Sequence, residues 1–263
     1  MKEKMQKILE KFHKYNTEHM ANLIFGLSDD ITYDALVVAP SYTPYKLKLD
    51  AYCTVTLMKE ADSVSAYLIE KDGMKIAWVK VGISASNLID YLSLCAELSF
   101  KKMIFVGSVG ALNDKFELGD ICTPSYSISG VYANTYLKDS LKDFVLFEKV
   151  VPDLNFVDCV INSVKYDIKK ASIFCTDSIA LEYYHLDEIK AFGTDLIEME
   201  TSSFYLMADL LEIPSIALLI VSDNSATGTP LVGRTEAQDK KFYESRTNNL
   251  SNLILDITKM QLN

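Results

Sequence analysis

Arginine is almost missing from this chain. It occurs twice in 263 residues, at Arg234 and Arg246, although lysine and arginine together number 26. Lysine is a compact charge on a flexible stem, whereas arginine offers a planar fork for two-point recognition of an anion. No guanidinium clamp can therefore come from any position before 234. Positive charge is short overall, the formal net charge being −10. That argues against nucleic acid as a partner, because phosphate backbones are bound through a basic stripe that releases counterions. The five cysteines (Cys53, Cys95, Cys122, Cys159, Cys175) are scattered and show no CxxC or Cys/His ligand spacing. They argue against zinc and for buried free thiols in a reducing cytoplasm. No metal is expected. No run of ~18 apolar residues appears, so no membrane span is expected. The N-terminal MKEKMQKILEKFHKY also lacks the apolar core of a signal peptide. Histidine is limited to His13, His19 and His185, in no Ser/His/Asp order.

What is present is ordinary globular material, with 49% hydrophobic and 24% charged residues. Met5, Ile8, Leu9, Phe12 and Tyr15 recur at helical spacing and predict an amphipathic helix over 3–25. Residues 1–30 are expected to form a helical extension docked on one domain over 31–263. Ala35–Ala39 is an apolar run stopped by Pro40, which predicts a buried strand leading into a loop from Ser41 to Pro44. Strands are expected over 52–58, 64–70 and 75–81, the last two joined by a tight turn at Asp72-Gly73. A helix through Leu98 then begins near Ser84 or Ser86, either of which can cap it. Met103–Val106 predicts a buried strand closed by a Gly107–Gly110 turn. A further strand is expected over 116–123, a helix over 153–170, a strand over 171–175 and a helix over 201–212. An apolar strand over 216–221 and a C-terminal helix over about 236–260 complete the order. Strand, glycine turn, helix and strand in alternation make an α/β fold, expected as a single domain with a twisted mixed sheet flanked by helices.

Three places can carry chemistry, each where a buried strand is expected to end. In Val106-Gly107-Ser108-Val109-Gly110 a glycine turn would expose N–H groups to an anion or a sugar oxygen. It is not GxGxxG, so a dinucleotide is not indicated. Glu198-Met199-Glu200 opens a helix, where carboxylates suit the dipole and an ionised carboxylate can accept two hydrogen bonds from a cis-diol. Ser222-Asp223 ends a strand of six apolar residues, where partial desolvation raises an acid's pKa and suits it to proton donation.

Together these segments resemble the nucleoside phosphorylase superfamily. The family's GS-x-GAL turn and following GD strand appear as Gly107–Leu112 and Gly119-Asp120-Ile121. Its V-E-M-E-A helix start appears as Ile197–Thr201, and its V-S-D strand end as Val221-Ser222-Asp223. Gly82-Ile83 and Thr176-Asp177 add to the likeness, which spans about 35–255. The resemblance implies cleavage of a nucleoside's N-glycosidic bond, purine favoured. Glu200 would hold the ribose hydroxyls with Met199 against the sugar and Glu198 beside them. Asp223 would protonate the purine N7, Asp177, Ile179 and Ser222 would border the base, and Ser41, Gly82, Gly107 and Ser108 would face the nucleophile. Phosphorylases of this family clamp phosphate with arginines after the first strand and before the VGS turn. Here those places hold Pro40–Lys46 and Phe105, leaving Lys46 or Lys80 as point charges. The related nucleosidases use water, activated by a glutamate-rich loop after the first strand, yet no glutamate lies between 31 and 58. The Ser222–Gly228 stretch and Phe242-Tyr243 resemble the AMP nucleosidase branch. Phosphorolysis is the leading expectation, with inorganic phosphate as co-substrate and no other cofactor. Hydrolysis follows closely, and a nucleoside-binding module without turnover is the third. A cytoplasmic homo-oligomer, a dimer or a trimer of dimers, is implied by the same resemblance.

Overall fold

In the computed structural model, which describes residues 1–17, 19–61 and 64–261, the chain forms a ten-stranded mixed sheet between helices, as expected. A two-stranded pair, β1 (Thr32–Tyr33) and β6 (Ser99–Phe100), stands apart. The main sheet holds β2 (Ala35–Ala39), β3 (Thr54–Glu60), β4 (Ser65–Lys71), β5 (Met74–Lys80), β7 (Met103–Ala111) and β8 (Ile121–Ser129). It is completed by β9 (Glu148–Val150), β10 (Ile168–Cys175), β11 (Leu196–Glu198) and β12 (Ser215–Asn224). The order is β11-β10-β8-β12-β7-β2-β5-β4-β3, with β9 on β8. Neighbours β2/β5, β2/β7, β7/β12, β8/β10 and β10/β11 are parallel. Strand β11 also pairs antiparallel with β7, setting Ile197 opposite Gly110, so one half of the sheet curls into a closed ring.

Central strands are apolar along their whole length because both faces are covered. Leu36, Val38, Phe105, Leu219 and Val221 pack on one side, against helices α1 (Glu3–His13), α2 (Met20–Phe25), α3 (Ala85–Cys95) and α6 (Thr201–Leu211). Val37, Trp78, Ile104, Leu218 and Ile220 face α4 (Leu154–Ser163), α7 (Glu236–Glu244) and α8 (Ser251–Lys259). A short α5 (Leu186–Lys190) lies outside these layers. Met5 is fully buried in the first layer, and the Lys2 N–H donates to the Leu210 carbonyl at 2.9 Å, which docks α1 on α6. Among the described residues no helix is long and apolar enough to cross a membrane.

Several expectations are corrected. The helix over 3–25 is two helices, Glu3–His13 and Met20–Phe25, and Tyr15, counted in the apolar pattern, is exposed between them; Glu18 lies outside the described residues. Helix α3 stops at Cys95, and α4 covers only Leu154–Ser163, capped by the Asp153 carboxylate on the Asn155 and Phe156 N–H groups. Ser84 is the cap of α3, accepting from the Asn87 N–H. Gly107–Gly110 is not a turn, because β7 runs straight through it to Ala111. Its glycines answer to space: a Cβ on Gly107 would sit 2.8 Å from the Phe105 ring, and one on Gly110 2.8 Å from Asp223 Oδ2. Cys95, Cys122 and Cys175 are buried free thiols, whereas Cys159 is exposed on α4.

Candidate active site

A cavity of about 270 Å³ opens at the carboxyl ends of β2, β7, β11 and β12. That is where sheets of this class hold ligands. Ser41, Gly107, Ser108, Ile179, Glu198, Met199, Glu200, Ser222 and Asp223 all line it. Residues far apart in sequence thus meet in one hollow.

The two glutamates of the Glu198-Met199-Glu200 segment have different environments. Glu198 Oε2 accepts from the Glu200 N–H at 2.7 Å and the Thr201 N–H at 2.9 Å, which are free donors at the start of α6. Its Oε1 accepts from the Thr201 hydroxyl and the Cys175 thiol, both at 2.8 Å. Every strong direction on this carboxylate is taken, so Glu198 is a buried strut rather than a free sugar ligand. Glu200 is 4% exposed, yet its Oε1 has no hydrogen-bond partner. Burial and the nearby Glu198 charge push its carboxyl well above the ordinary glutamate range, partly offset by the N–H groups of Met199 and Ser84. A buried acceptor without a partner, lining a cavity, is a polar group poised for a ligand.

Asp223 is aimed by an irregularity. The pairing of β12 with β7 shifts between Val221 and Asp223, a bulge that re-aims the following side chain. Ser222 Oγ donates to Asp223 Oδ1 at 2.7 Å. Burial raises the Asp223 carboxyl, against the pull of this hydrogen bond and of the Arg234 charge. Arg234 Nη1 donates to the Ser222 carbonyl at 2.7 Å and Nε to Asp239 Oδ1 at 2.8 Å, which fixes the cation beside the acid.

On the opposite wall, the Tyr42 hydroxyl hydrogen-bonds Ser108 Oγ. The buried Trp78 Nε1–H donates to the Tyr42 carbonyl at 3.0 Å and anchors this loop. Behind Tyr42 stands Arg246, on the wide π turn Ser245–Leu250 that joins α7 to α8. Its guanidinium lies 5.5 Å from the Phe242 ring centre, 5.6 Å from Tyr243 and 5.8 Å from Tyr42. Its Nε is buried without a hydrogen-bond partner. Lys46 is not on the cavity wall: the loop coils into 3₁₀ turns at Tyr45–Leu47 and Leu49–Ala51, and the exposed Lys46 Nζ donates back to the Ser41 carbonyl at 3.0 Å. Lys80, the other stand-in, is also absent from the wall. Gly82 serves the chain reversal after β5 with φ +79°, and the neighbouring Ile83 reaches the cavity in its place.

The rest of the wall includes Ile179, Tyr183, Leu231 and a further carboxyl, Glu182. Asp177 lies outside, its Oδ2 accepting from the Tyr132 N–H at 3.0 Å and tying two loops together. Sequence reasoning missed Tyr42, Glu182, Arg234 and Arg246. The two arginines did carry a signal in their rarity: both return from the C-terminal region to this site. Among the described residues no group of His, Cys, Asp or Glu is arranged to hold a metal ion.

A sheet closed partly on itself thus carries, along one cavity, an acid on a bulged strand and a buried glutamate at a helix start. The phosphorylase superfamily model matches residues 35–259, and the chain belongs to that family. It is 24% identical over 200 residues to a DeoD-type purine nucleoside phosphorylase of Aliivibrio salmonicida, covering 73% of this chain and 81% of the relative. To the DeoD-type enzyme of Shewanella oneidensis it is 26% identical over 190 residues, 70% and 76% of the two chains. Two solved structures share the fold. Uridine phosphorylase from Vibrio fischeri gives a TM-score of 0.71 at 15% identity, covering 89% of this chain and 95% of that one. The 5′-methylthioadenosine/S-adenosylhomocysteine nucleosidase of Campylobacter jejuni gives 0.66 at 18% identity, covering 86% and 99%.

Proposed function

We propose that this chain cleaves the N-glycosidic bond of a purine nucleoside, with Asp223 protonating N7 and Glu200 holding the ribose 2′- and 3′-hydroxyls. The observation that carries the reading is the pairing, across one cavity, of a half-buried acid with a buried glutamate oxygen that has no partner. As the C1′–N9 bond stretches, the sugar becomes oxocarbenium-like and the purine gains negative charge. A carboxyl raised by burial holds its proton to higher pH and is suited to neutralise that charge; such an acid typically contributes ~10²–10⁴-fold. Met199, between the two glutamates, gives the sugar an apolar contact.

For the nucleophile, the walls favour water. Glu182, Glu198, Glu200 and Asp223 line the cavity, and no lysine or arginine does among the described residues. A phosphate dianion entering there would find no cationic side chain on the wall to offset its loss of hydration. The Ser41 and Ser108 hydroxyls can hold a water instead. Phosphorolysis is the second reading, favoured by the DeoD-type relatives and by Arg246 behind the Tyr42–Ser108 pair. The product decides between them. Free ribose formed at a rate that added phosphate does not change supports hydrolysis, and ribose 1-phosphate formed only with phosphate overturns it. Failure to release base from any purine nucleoside would refute the reading as a whole. The same family membership suggests a homo-oligomer in the cell interior, which sedimentation of the purified chain would test.

A further inference from the structure

Glu182 has no structural task that explains its place. It opens the 3₁₀ turn Glu182–His185 and lines the cavity beside Asp223 and Tyr183. Its side chain is half-buried, and among the described residues it makes no hydrogen bond and no ion pair. The only charge that acts on it strongly is that of Asp223, another carboxylate. Two carboxyl groups drawn out of water in one cavity are costly for stability; Arg234 relieves Asp223 in part, but no cation relieves Glu182. Burial and the Asp223 charge push Glu182 up to about 7, and the Tyr183 hydroxyl, raised by burial and by both acids, stays protonated between them.

We propose that Glu182 and Asp223 jointly read the N7/6-amino edge of a 6-aminopurine, Asp223 donating a proton to N7 and Glu182 accepting from the amino group. This deepens the purine nucleoside reading and rests on it. Adenine offers an acceptor at N7 and a donor at its amino nitrogen, whereas a 6-oxopurine offers two acceptors there. One donor and one acceptor match the first edge; against the second, a carboxylate oxygen faces O6 with no proton between. A site built to hydrogen-bond a substrate group discriminates strongly against the analogue that leaves its own polar atoms unpaired. During cleavage the C1′–N9 electron pair stays on the purine, and the proton passed to N7 leaves that base neutral.

The test compares adenosine, inosine and purine riboside, which has no 6-substituent, on the parent chain and on Glu182→Gln and Glu182→Ala. The parent should prefer adenosine to inosine by roughly 10- to 100-fold in kcat/KM, as expected for one charge-assisted hydrogen bond. Both variants should bring that ratio to within about threefold, the loss falling on adenosine at least ~10-fold harder than on purine riboside, which has no amino group to donate. Equal losses on all three nucleosides, or an unchanged adenosine-to-inosine ratio, would overturn the assignment. Calorimetric binding of free adenine and hypoxanthine reads the same contact without turnover. A chain that binds adenine selectively through Glu182 but cleaves nothing would refute the proposed function and keep this inference. A chain that cleaves purine nucleosides while its base preference ignores Glu182 would do the reverse.

Discussion

Glu198 and Glu200 stand two residues apart, and replacing each by glutamine should have opposite consequences. Glu198 accepts four hydrogen bonds, from the N–H groups of Glu200 and Thr201 at 2.7 and 2.9 Å and from the Thr201 hydroxyl and Cys175 thiol at 2.8 Å. In Glu198→Gln one carboxylate oxygen becomes an NH₂ group, so a donor faces donors in a site 7% exposed. Buried donors left unpaired cost ~1–3 kcal/mol each. Relief from burying a charge returns part of this, giving a net loss of about 3 kcal/mol. At ~2 °C per kcal/mol for a chain of this size, the melting temperature should fall by about 6 °C. Glu200 is held less completely: the Met199 and Ser84 N–H groups act on its carboxyl, and its buried Oε1 has no partner. Glu200→Gln replaces a carboxyl whose ionised form burial and the Glu198 charge already disfavour, so the melting temperature should hold or rise. Its kcat/KM should fall further for ribosides than for 2′-deoxyribosides, because the carboxyl's bond to the 2′-hydroxyl is lost only in the former. Scanning calorimetry and paired kinetics measure both effects. A Glu198→Gln protein of parental melting temperature that loses ribose discrimination, beside a destabilised Glu200→Gln protein of normal kinetics, would show that the two roles are exchanged.

Asp223→Asn should lower kcat by about 10²-fold or more with the fold intact, and unchanged turnover would remove Asp223 from the mechanism. Gly110→Ala places a Cβ 2.8 Å from Asp223 Oδ2 and 3.2 Å from Ile197 Cγ2, so it should displace the acid. Activity should drop at least ~10-fold, and a crystal structure with Asp223 unmoved would refute that account. Arg246→Met keeps apolar bulk against Phe242 but removes the cation behind Tyr42; if phosphorolysis operates, the KM for phosphate should rise, and if water is the nucleophile, turnover should change less than about threefold. Glu182 is raised from 4.5 to about 7, so the folded state keeps its proton where the unfolded chain has lost it. Stability from this group is therefore complete below pH 4.5 and lost as the pH rises through about 7. Urea midpoints should fall across that window, less steeply in Glu182→Gln, and identical slopes would contradict the placement.

The order of elements was legible in the sequence because it rests on local patterns. Apolar runs closed by Pro40 and Pro214, a cap at Ser84, and the period of the C-terminal helix each report on a few neighbouring residues. Glu200, Ser108 and Asp223 were legible as candidates for a similar reason, as short segments carried the family likeness, and all three line the cavity. Which groups face each other was decided only in three dimensions. Pairing of β11 with β7 sets Ile197 against Gly110, across some ninety residues of chain, and that contact closes the ring. The slip between Val221 and Asp223 depends on register with β7, and no periodicity in β12 reveals it. Glu198 and Glu200 look alike in sequence, yet the orientation of β11 against α6 makes one a strut and leaves the other open. Lys46 turns outward through a local coil, while Arg246 comes back more than two hundred residues later to stand behind Tyr42. Local sequence sets which element forms, because backbone preference and side-chain period are short-range. Packing between distant strands sets which side chains meet, because hydrophobic burial rewards contact without regard to separation along the chain.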